Sequence, residues 1–310
     1  MKKIPLIIDT DPGIDDAAAI SIALTSDELD VKLISTCCGN VGIKKTSNNA
    51  AKLVRFFGLE DKIPVAIGIE KTLLGEQINA KSVHGDSGMD GYEFPDISDF
   101  KFHNDNSVIA MKDVLLNSEE KVVIMAIGPL TNIAVLLSLY PKVKEKIEKI
   151  VIMGGSLNRG NSSIMAEFNI DADPYAAQMV VQSGVELVFA PLDVGLKSLV
   201  FKDDAEKIRD MNETGNMLYS LFSNYRSGSL NSTGLRIYDA CAIAYILNKD
   251  LYSVENVYME VELSGTITKG CTAFDLRGYS KKEPNVYVLT DTNTEDFRKW
   301  FIEKISNINI

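Results

Sequence analysis

Four carboxylates fall within eight residues in Asp9-Thr10-Asp11-Pro12-Gly13-Ile14-Asp15-Asp16. Pro12 and Gly13 make a tight turn, which puts Asp15 and Asp16 on the first turn of the helix that follows. A helix N-terminus favours negative charge by only about 0.3–1 kcal/mol per group. That is too little to hold several carboxylates together in a partly buried cleft. They must protonate, splay apart or hold a cation. Ligands that are all oxygen suit a hard divalent ion. Calcium accepts oxygens in flexible number and geometry, whereas magnesium demands a strict octahedron and keeps more of its water. The cluster is therefore read as a calcium site. The plainer alternative is that Asp9 caps a strand turn, Asp15 or Asp16 caps the helix, and nothing binds.

The elements that must position this cluster follow from periodicity. Ile4–Ile8 is a continuous apolar run ending in Asp9, which predicts a buried strand. A helix is expected over Asp15–Leu24, a strand over Val31–Thr36, a helix over Lys45–Phe57 stopped by Gly58, and a short strand over Pro64–Ile67. Lys71–Lys101 has no clear period and reads as a long loop, a length that is usually functional or mobile. Helix and strand then alternate: Asn104–Leu116, Val122–Ile127, Leu130–Leu139 and Ile150–Met153. After a loop at Asn158–Phe168, Asp173-Pro174 opens a helix, and Val185–Ala190 is a further strand. From Asp203 to Asn248 the pattern is helical, broken at Ser227-Gly228-Ser229 and Ser232-Thr233-Gly234. Val254–Ser264 and Asn285–Leu289 read as late strands and Thr294–Ile305 as a closing helix. This order predicts one α/β domain over residues 1–310, with a largely parallel central sheet flanked by helices. In such sheets ligands bind beyond the carboxyl ends of the strands. Asp9 and Asp11, Cys38-Gly39-Asn40, Gly128-Pro129 and Gly154-Gly155 all follow strands.

Composition narrows the function classes. The chain has 310 residues and a net charge of −11, which repels phosphate backbones and anionic membrane, so nucleic acid and membrane are not expected partners. An uncharged small molecule meets no such penalty. The longest apolar run, Val122–Leu130, is too short to cross a bilayer, and the apolar start is too short for a secretory leader. Cys37, Cys38, Cys241 and Cys271 fit neither a disulfide framework nor zinc spacing, which suits a reduced, cytoplasmic setting.

Six segments then line up in order. The N-terminal Asp9–Asp16 motif is followed by Gly39-Asn40, Val83-His84-Gly85, Gly128-Pro129-Leu130-Thr131-Asn132, Met153-Gly154-Gly155, Ala166-Glu167-Phe168-Asn169 and Tyr238-Asp239. With these the chain resembles the nucleoside hydrolase family, of inosine–uridine-preferring type, over residues 9–239. The resemblance implies a nucleoside hydrolase-like fold on a Rossmann-like core and calcium-dependent cleavage of the N-glycosidic bond of free ribonucleosides. It implies Asp11 as general base and calcium ligand, with Asp16, Asp239 and the carbonyl of Ile127 completing the ligand set. Asp15, Asn40, Asn161, Glu167 and Asn169 would hold the ribose hydroxyls, and His84 would stand at the base-binding rim. A homo-oligomer, dimer or tetramer, is the corresponding expectation.

The chemistry suits these residue types. Cleavage builds positive charge on the ribose, which carboxylates stabilise. Side chains shaped to ribose hydroxyls predict strong preference over 2′-deoxyribose. Each residue also has a plainer role: Asp239 as a helix cap, Asn40 as a turn former, Leu130-Thr131-Asn132 as a helix start. The chain departs from the family at Tyr238, where several members have a histidine suited to protonating the leaving base. A phenol is a poor acid at neutral pH, so Tyr238 stacks on or hydrogen-bonds the base, or merely packs at the rim. Tyr219, Phe222, Tyr225 and Arg226 recur at helical spacing and read as packing, with a lid hinged at Ser227-Gly228-Ser229 as the alternative. Two other functions remain open at this level. Asp9-x-Asp11 after the first strand is also the nucleophile signature of haloacid-dehalogenase-type phosphatases, although Gly13 stands where those enzymes need Thr or Ser. A non-catalytic calcium-dependent nucleoside- or ribose-binding protein is the third.

Overall fold

The computed structural model describes residues 2–75, 79–227, 230 and 233–309. Strands and helices alternate as β1 (Ile4–Thr10), α1 (Ile14–Thr25), β2 (Leu29–Thr36), α2 (Ile43–Phe56) and β3 (Val65–Ile67). A long irregular stretch follows, interrupted by the single turn α3 (Lys81–His84). Next come α4 (Ser107–Asn117), β4 (Val122–Ala126), α5 (Thr131–Leu139), β5 (Ile147–Met153), α6 (Phe168–Ala172), α7 (Pro174–Val181), β6 (Leu187–Ala190) and α8 (Leu192–Gly195). The last third holds β7 (Leu199–Val200), α9 (Lys202–Arg209), α10 (Glu213–Asn224), β8 (Leu235–Arg236) and α11 (Ala240–Leu247). It closes with β9 (Tyr252–Val257), β10 (Met259–Val261), β11 (Thr272–Phe274), β12 (Val286–Thr292) and α12 (Thr294–Ser306).

Eight strands form the central sheet in the order β3-β2-β1-β4-β5-β6-β12-β9. Every neighbouring pair is parallel except β12–β9 at the edge. Both faces are covered, and the strands alternate between two cores. Leu6 and Ile8 of β1, Val123 and Met125 of β4, and Val151 and Met153 of β5 pack on one side with α1, α10, α11 and α12. Ile7, Ile124 and Ile152 pack on the other with α4, α5 and α7. A strand buried on both faces reads as continuously apolar, which is why β1, β4 and β5 stand out in the sequence.

Strand order reverses at β1: β2 and β3 lie to one side, and β4, β5 and β6 to the other. The crevice at such a reversal, beyond the carboxyl ends, is where α/β sheets bind ligands. Residues 9–11 leave β1 there, Cys37–Asn40 leave β2, and Ile127–Pro129 leave β4.

Some expectations need correction. The proposed strand Val254–Ser264 is two strands, broken at Tyr258: β9 pairs with β12, and β10 pairs with β11 in a separate two-stranded sheet. Alternating apolar residues gave no sign of the break, because both halves keep a period of two. The loop Lys71–Lys101 contains α3, whose last residue, His84, is buried. Gly228, Ser229 and Ser232 of the expected helix breaks lie outside the described residues.

Candidate active site at the switch point of the sheet

The aspartates arrive from the turn after β1, the first turn of α1 and the residue that precedes α11. Asp11 is 1% exposed, Asp16 0% and Asp239 4%. Asp16 is held by Thr10, whose hydroxyl donates to Oδ1 at 2.6 Å, and by the Gly13 backbone N–H, which donates to Oδ2 at 2.9 Å. Asp239 is the N-cap residue of α11, but its side chain makes no capping hydrogen bond. Its carboxyl group instead shares a hydrogen bond with Asp16. Ligand oxygens of Asp15, Asp16 and Asp239 lie within 4.8 Å of one another. Asp11 is the neighbour of this trio rather than a member of it. Its Oδ2 accepts the Asn40 backbone N–H at 2.6 Å, and its Oδ1 is buried with no hydrogen-bond partner. Glycines allow this approach: a Cβ at Gly39 would lie 2.0 Å from Asp11 Oδ2, and one at Gly128 2.6 Å from Oδ1.

Crowding shows in the proton affinities. Burial, then the Asp16 charge, pushes the Asp11 carboxyl well above the ordinary carboxylate range. Asp16 is pushed up to about 7 by burial and by Asp15, and Asp239 is raised well above the usual range by burial, Asp15 and Asp16. Such a group demands protons or a cation.

A cavity of about 310 Å³ opens over this floor. Asp15, Asn40, His84, Ile127, Asn161, Glu167, Asn169, Tyr238 and Asp239 all line it, so nine of the residues singled out in the sequence meet there. Asp11 and Asp16 sit one layer behind, fully enclosed. Asn40 bridges the two layers: its side-chain amide donates to Asp11 O at 3.1 Å and to Asp16 Oδ2 at 3.2 Å, not to its own turn. Glu167 accepts backbone N–H groups of Gly155 and Asn169 at 3.0 Å and of Ile170 at 3.3 Å, yet burial still raises its carboxyl to about 7. The Asn169 amide donates to Met153 O at 3.0 Å and Ile127 O at 3.3 Å. Asn161 is exposed at the mouth, its Oδ1 accepting the Phe168 N–H at 2.9 Å.

The two aromatic candidates at the rim are poor acids. His84 Nδ1 accepts the Ile14 backbone N–H at 3.0 Å, so the ring proton sits on Nε2. Burial lowers its pKa against the pull of Asp15, which keeps the ring neutral at pH 7. Burial raises the Tyr238 phenol above its ordinary value of 10.0. The sequence reading missed two further lining residues, Tyr225 and Arg226. The helical period that assigned them to packing ends where α10 stops, at Asn224; Phe222 packs in the core and Tyr219 against Arg209.

Asp9 occupies a different environment. It is 0% exposed and absent from the cavity wall; its Oδ1 accepts from Ser35 Oγ and from Asn132 Nδ2. A phosphatase of the haloacid-dehalogenase type needs this first aspartate as an open nucleophile, so the geometry argues against that alternative.

Comparison with known proteins agrees with this layout. The family model described as inosine-uridine preferring nucleoside hydrolase matches residues 6–299. The non-specific ribonucleoside hydrolase RihC of Escherichia coli strain SMS-3-5 is 44% identical over 309 residues, covering 98% of this chain and 99% of that one. The RihC of Shigella dysenteriae serotype 1 is likewise 44% identical over the same shares. Among solved structures, the plant nucleoside hydrolase PpNRh1 superposes with a TM-score of 0.92 at 29% identity, covering 99% of this chain and 100% of that chain. A purine-preferring ribonucleoside hydrolase from Gardnerella vaginalis gives a TM-score of 0.88 at 29% identity, covering 97% and 98%. The chain belongs to the inosine-uridine preferring nucleoside hydrolase family, enzymes that hydrolyse the N-glycosyl bond of nucleosides.

Proposed function

We propose that this chain, acting as a single catalytic domain over residues 1–310, is a calcium-dependent N-ribohydrolase of free ribonucleosides. The observation that carries the reading is the meeting of Asp15, Asp16 and Asp239, whose ligand oxygens lie within 4.8 Å of one another, with Asp11 beside them behind the cavity wall and its Oδ1 buried without a hydrogen-bond partner. The donor set fits a hard divalent cation: it is all oxygen, anionic in excess, and too buried for water to relieve. Asp11, Asp16, Asp239 and the Ile127 carbonyl would hold the ion, with Asp15 in the same reach. When bound, a divalent cation lowers the pKa of a water and grips vicinal hydroxyls.

The remaining chemistry belongs to the protein. Asp11 Oδ1 accepts the proton of the attacking water, whose oxygen bonds to C1′ as the C1′–N bond breaks. Asp15, Asn40, Asn161, Glu167 and Asn169 hold the ribose hydroxyls, and the surrounding carboxylates stabilise the developing ribosyl cation. Inosine and uridine are the expected substrates, by analogy with the family description. Four free cysteines support a cytoplasmic setting. A dimer or tetramer is the expected assembly, read out by light scattering.

The test is release of free base and reducing sugar from purine and pyrimidine ribonucleosides, before and after stringent chelation. The reading expects turnover that chelation abolishes and calcium restores, with 2′-deoxynucleosides slower by about 10⁴-fold or more. Turnover that survives metal removal, or equal rates on the deoxy substrates, would contradict it. Tight nucleoside binding without base release would favour the non-catalytic alternative.

A further inference from the structure

The cavity's charges are distributed unevenly. Asp15, Glu167 and Asp239 make its buried wall anionic, whereas Arg226 is the one cationic side chain among its described lining residues. The Arg226 guanidinium carbon lies 5.5 Å from the Tyr225 ring centre and 5.6 Å from that of Tyr238. Its Nε is buried with no hydrogen-bond partner, while the guanidinium hydrogen-bonds Tyr225. Its backbone is left-handed, φ 47° and ψ 47°, inside an otherwise helical turn. A bulky L-residue held there costs energy that the surrounding structure must offset, and such residues cluster at sites where function demands the placement.

Cleavage of a nucleoside needs help at both ends of the breaking bond. The ribose becomes positive and the base leaves with the electron pair. An imidazolium or carboxylic acid at the base would protonate it. Here the His84 Nδ1 is occupied by the Ile14 N–H, and the residue before Asp239 is Tyr238, whose phenol is a poor acid at neutral pH. A guanidinium needs no titration to be cationic, and its planar fork matches a carbonyl oxygen or ring nitrogen next to the glycosidic nitrogen.

We infer that Arg226, clamped between Tyr225 and Tyr238, activates the leaving group: its guanidinium hydrogen-bonds the departing nucleobase and stabilises it as an anion. The water oxygen bonds to C1′, Asp11 takes the water proton, and the C1′–N electron pair passes to the base. The base anion then takes a proton from solvent after departure, so no resident acid is needed. This rests on the hydrolase reading above and adds the residue that replaces the missing histidine. It also assigns the substrate class: bases that offer an acceptor beside the glycosidic nitrogen and form tolerable anions.

The test compares wild type, Arg226→Ala and Arg226→Lys on inosine, uridine and p-nitrophenyl β-D-riboside. Nitrophenolate leaves as a stable anion without assistance. For Arg226→Ala, kcat is expected to fall about 10²-fold or more on both nucleosides, the size typical of a lost transition-state donor. On the nitrophenyl riboside kcat should hold to within a few-fold, which also shows that the variant folds. Arg226→Lys, which keeps the charge, should recover part of the nucleoside rate. Equal losses on all three substrates, or no loss on the nucleosides, would overturn the assignment of Arg226. A wild type inactive on all three would instead overturn the hydrolase reading beneath it.

Discussion

In the proposed mechanism Asp11 is the residue on which turnover depends most. Its two oxygens are differently employed: Oδ2 is satisfied by the Asn40 N–H, while Oδ1 has nothing to bond within the protein. Burial of such an atom is costly, and a bound cation or the proposed base role accounts for it. Asp11→Asn keeps the volume and removes the charge. The variant should fold with an unfolding midpoint equal to or above wild type, because a crowded buried charge is gone. Its kcat should fall by about 10²–10⁴-fold, the usual contribution of a positioned base; near-normal kcat would show that the base lies elsewhere. The sequence revealed Asp11 because acidic residues around a turn have few other uses. It concealed Arg226, because at helical spacing with Tyr219, Phe222 and Tyr225 it reads as helix packing, and only its φ of 47° and its place in the cavity wall set it apart.

At the level of elements, the carboxyl ends of β1, β2 and β3 must be tied together for the floor to keep its shape. Asn132, in the first turn of α5, does this from outside the cavity. Its amide donates to Asp9 Oδ1 and to Thr36 O, both at 2.9 Å, and its Oδ1 accepts the Ile69 N–H at 2.9 Å. Asn132→Ala should cost about 1–3 kcal/mol, since it strands buried partners. Urea unfolding measures this directly, and a loss within a few tenths of a kcal/mol would mean the strand ends hold themselves. The β1-α1-β2 beginning was legible because buried parallel strands and capped helices have strong local signatures. The short pairs β7–β8 and β10–β11 were not, because two- and three-residue strands exist only through their tertiary partners. α3 was hidden for the same reason: its single turn depends on His84 docking against Ile14 rather than on helix propensity.

For the whole molecule, the acidic floor makes stability depend on pH and, in the proposed reading, on a bound calcium ion. Folding raises Asp9 from 3.8 to about 6, Asp16 from 3.8 to about 7 and Glu167 from 4.5 to about 7, each chiefly through burial. The folded, metal-free chain therefore binds protons more tightly than the unfolded one. The stability these groups contribute is complete below about pH 4 and is lost as pH rises towards 7. Calcium bound as proposed would compete for the same oxygens, so its affinity should rise across that window, and at a hundredfold excess over its Kd it should return about 2.7 kcal/mol. Thermal melts of metal-free protein at pH 5 and 7, with and without calcium, read this out; a metal-free chain that is more stable at pH 7 would reverse the sign. The central claim is that carboxylates from opposite ends of the chain share a single ion. Calorimetric titration of calcium into metal-stripped wild type and Asp239→Asn tests it most directly. The account predicts one calcium per wild-type chain and a large loss of affinity in Asp239→Asn, with the fold retained. Undiminished binding in Asp239→Asn, or no calcium binding by wild type, would contradict it.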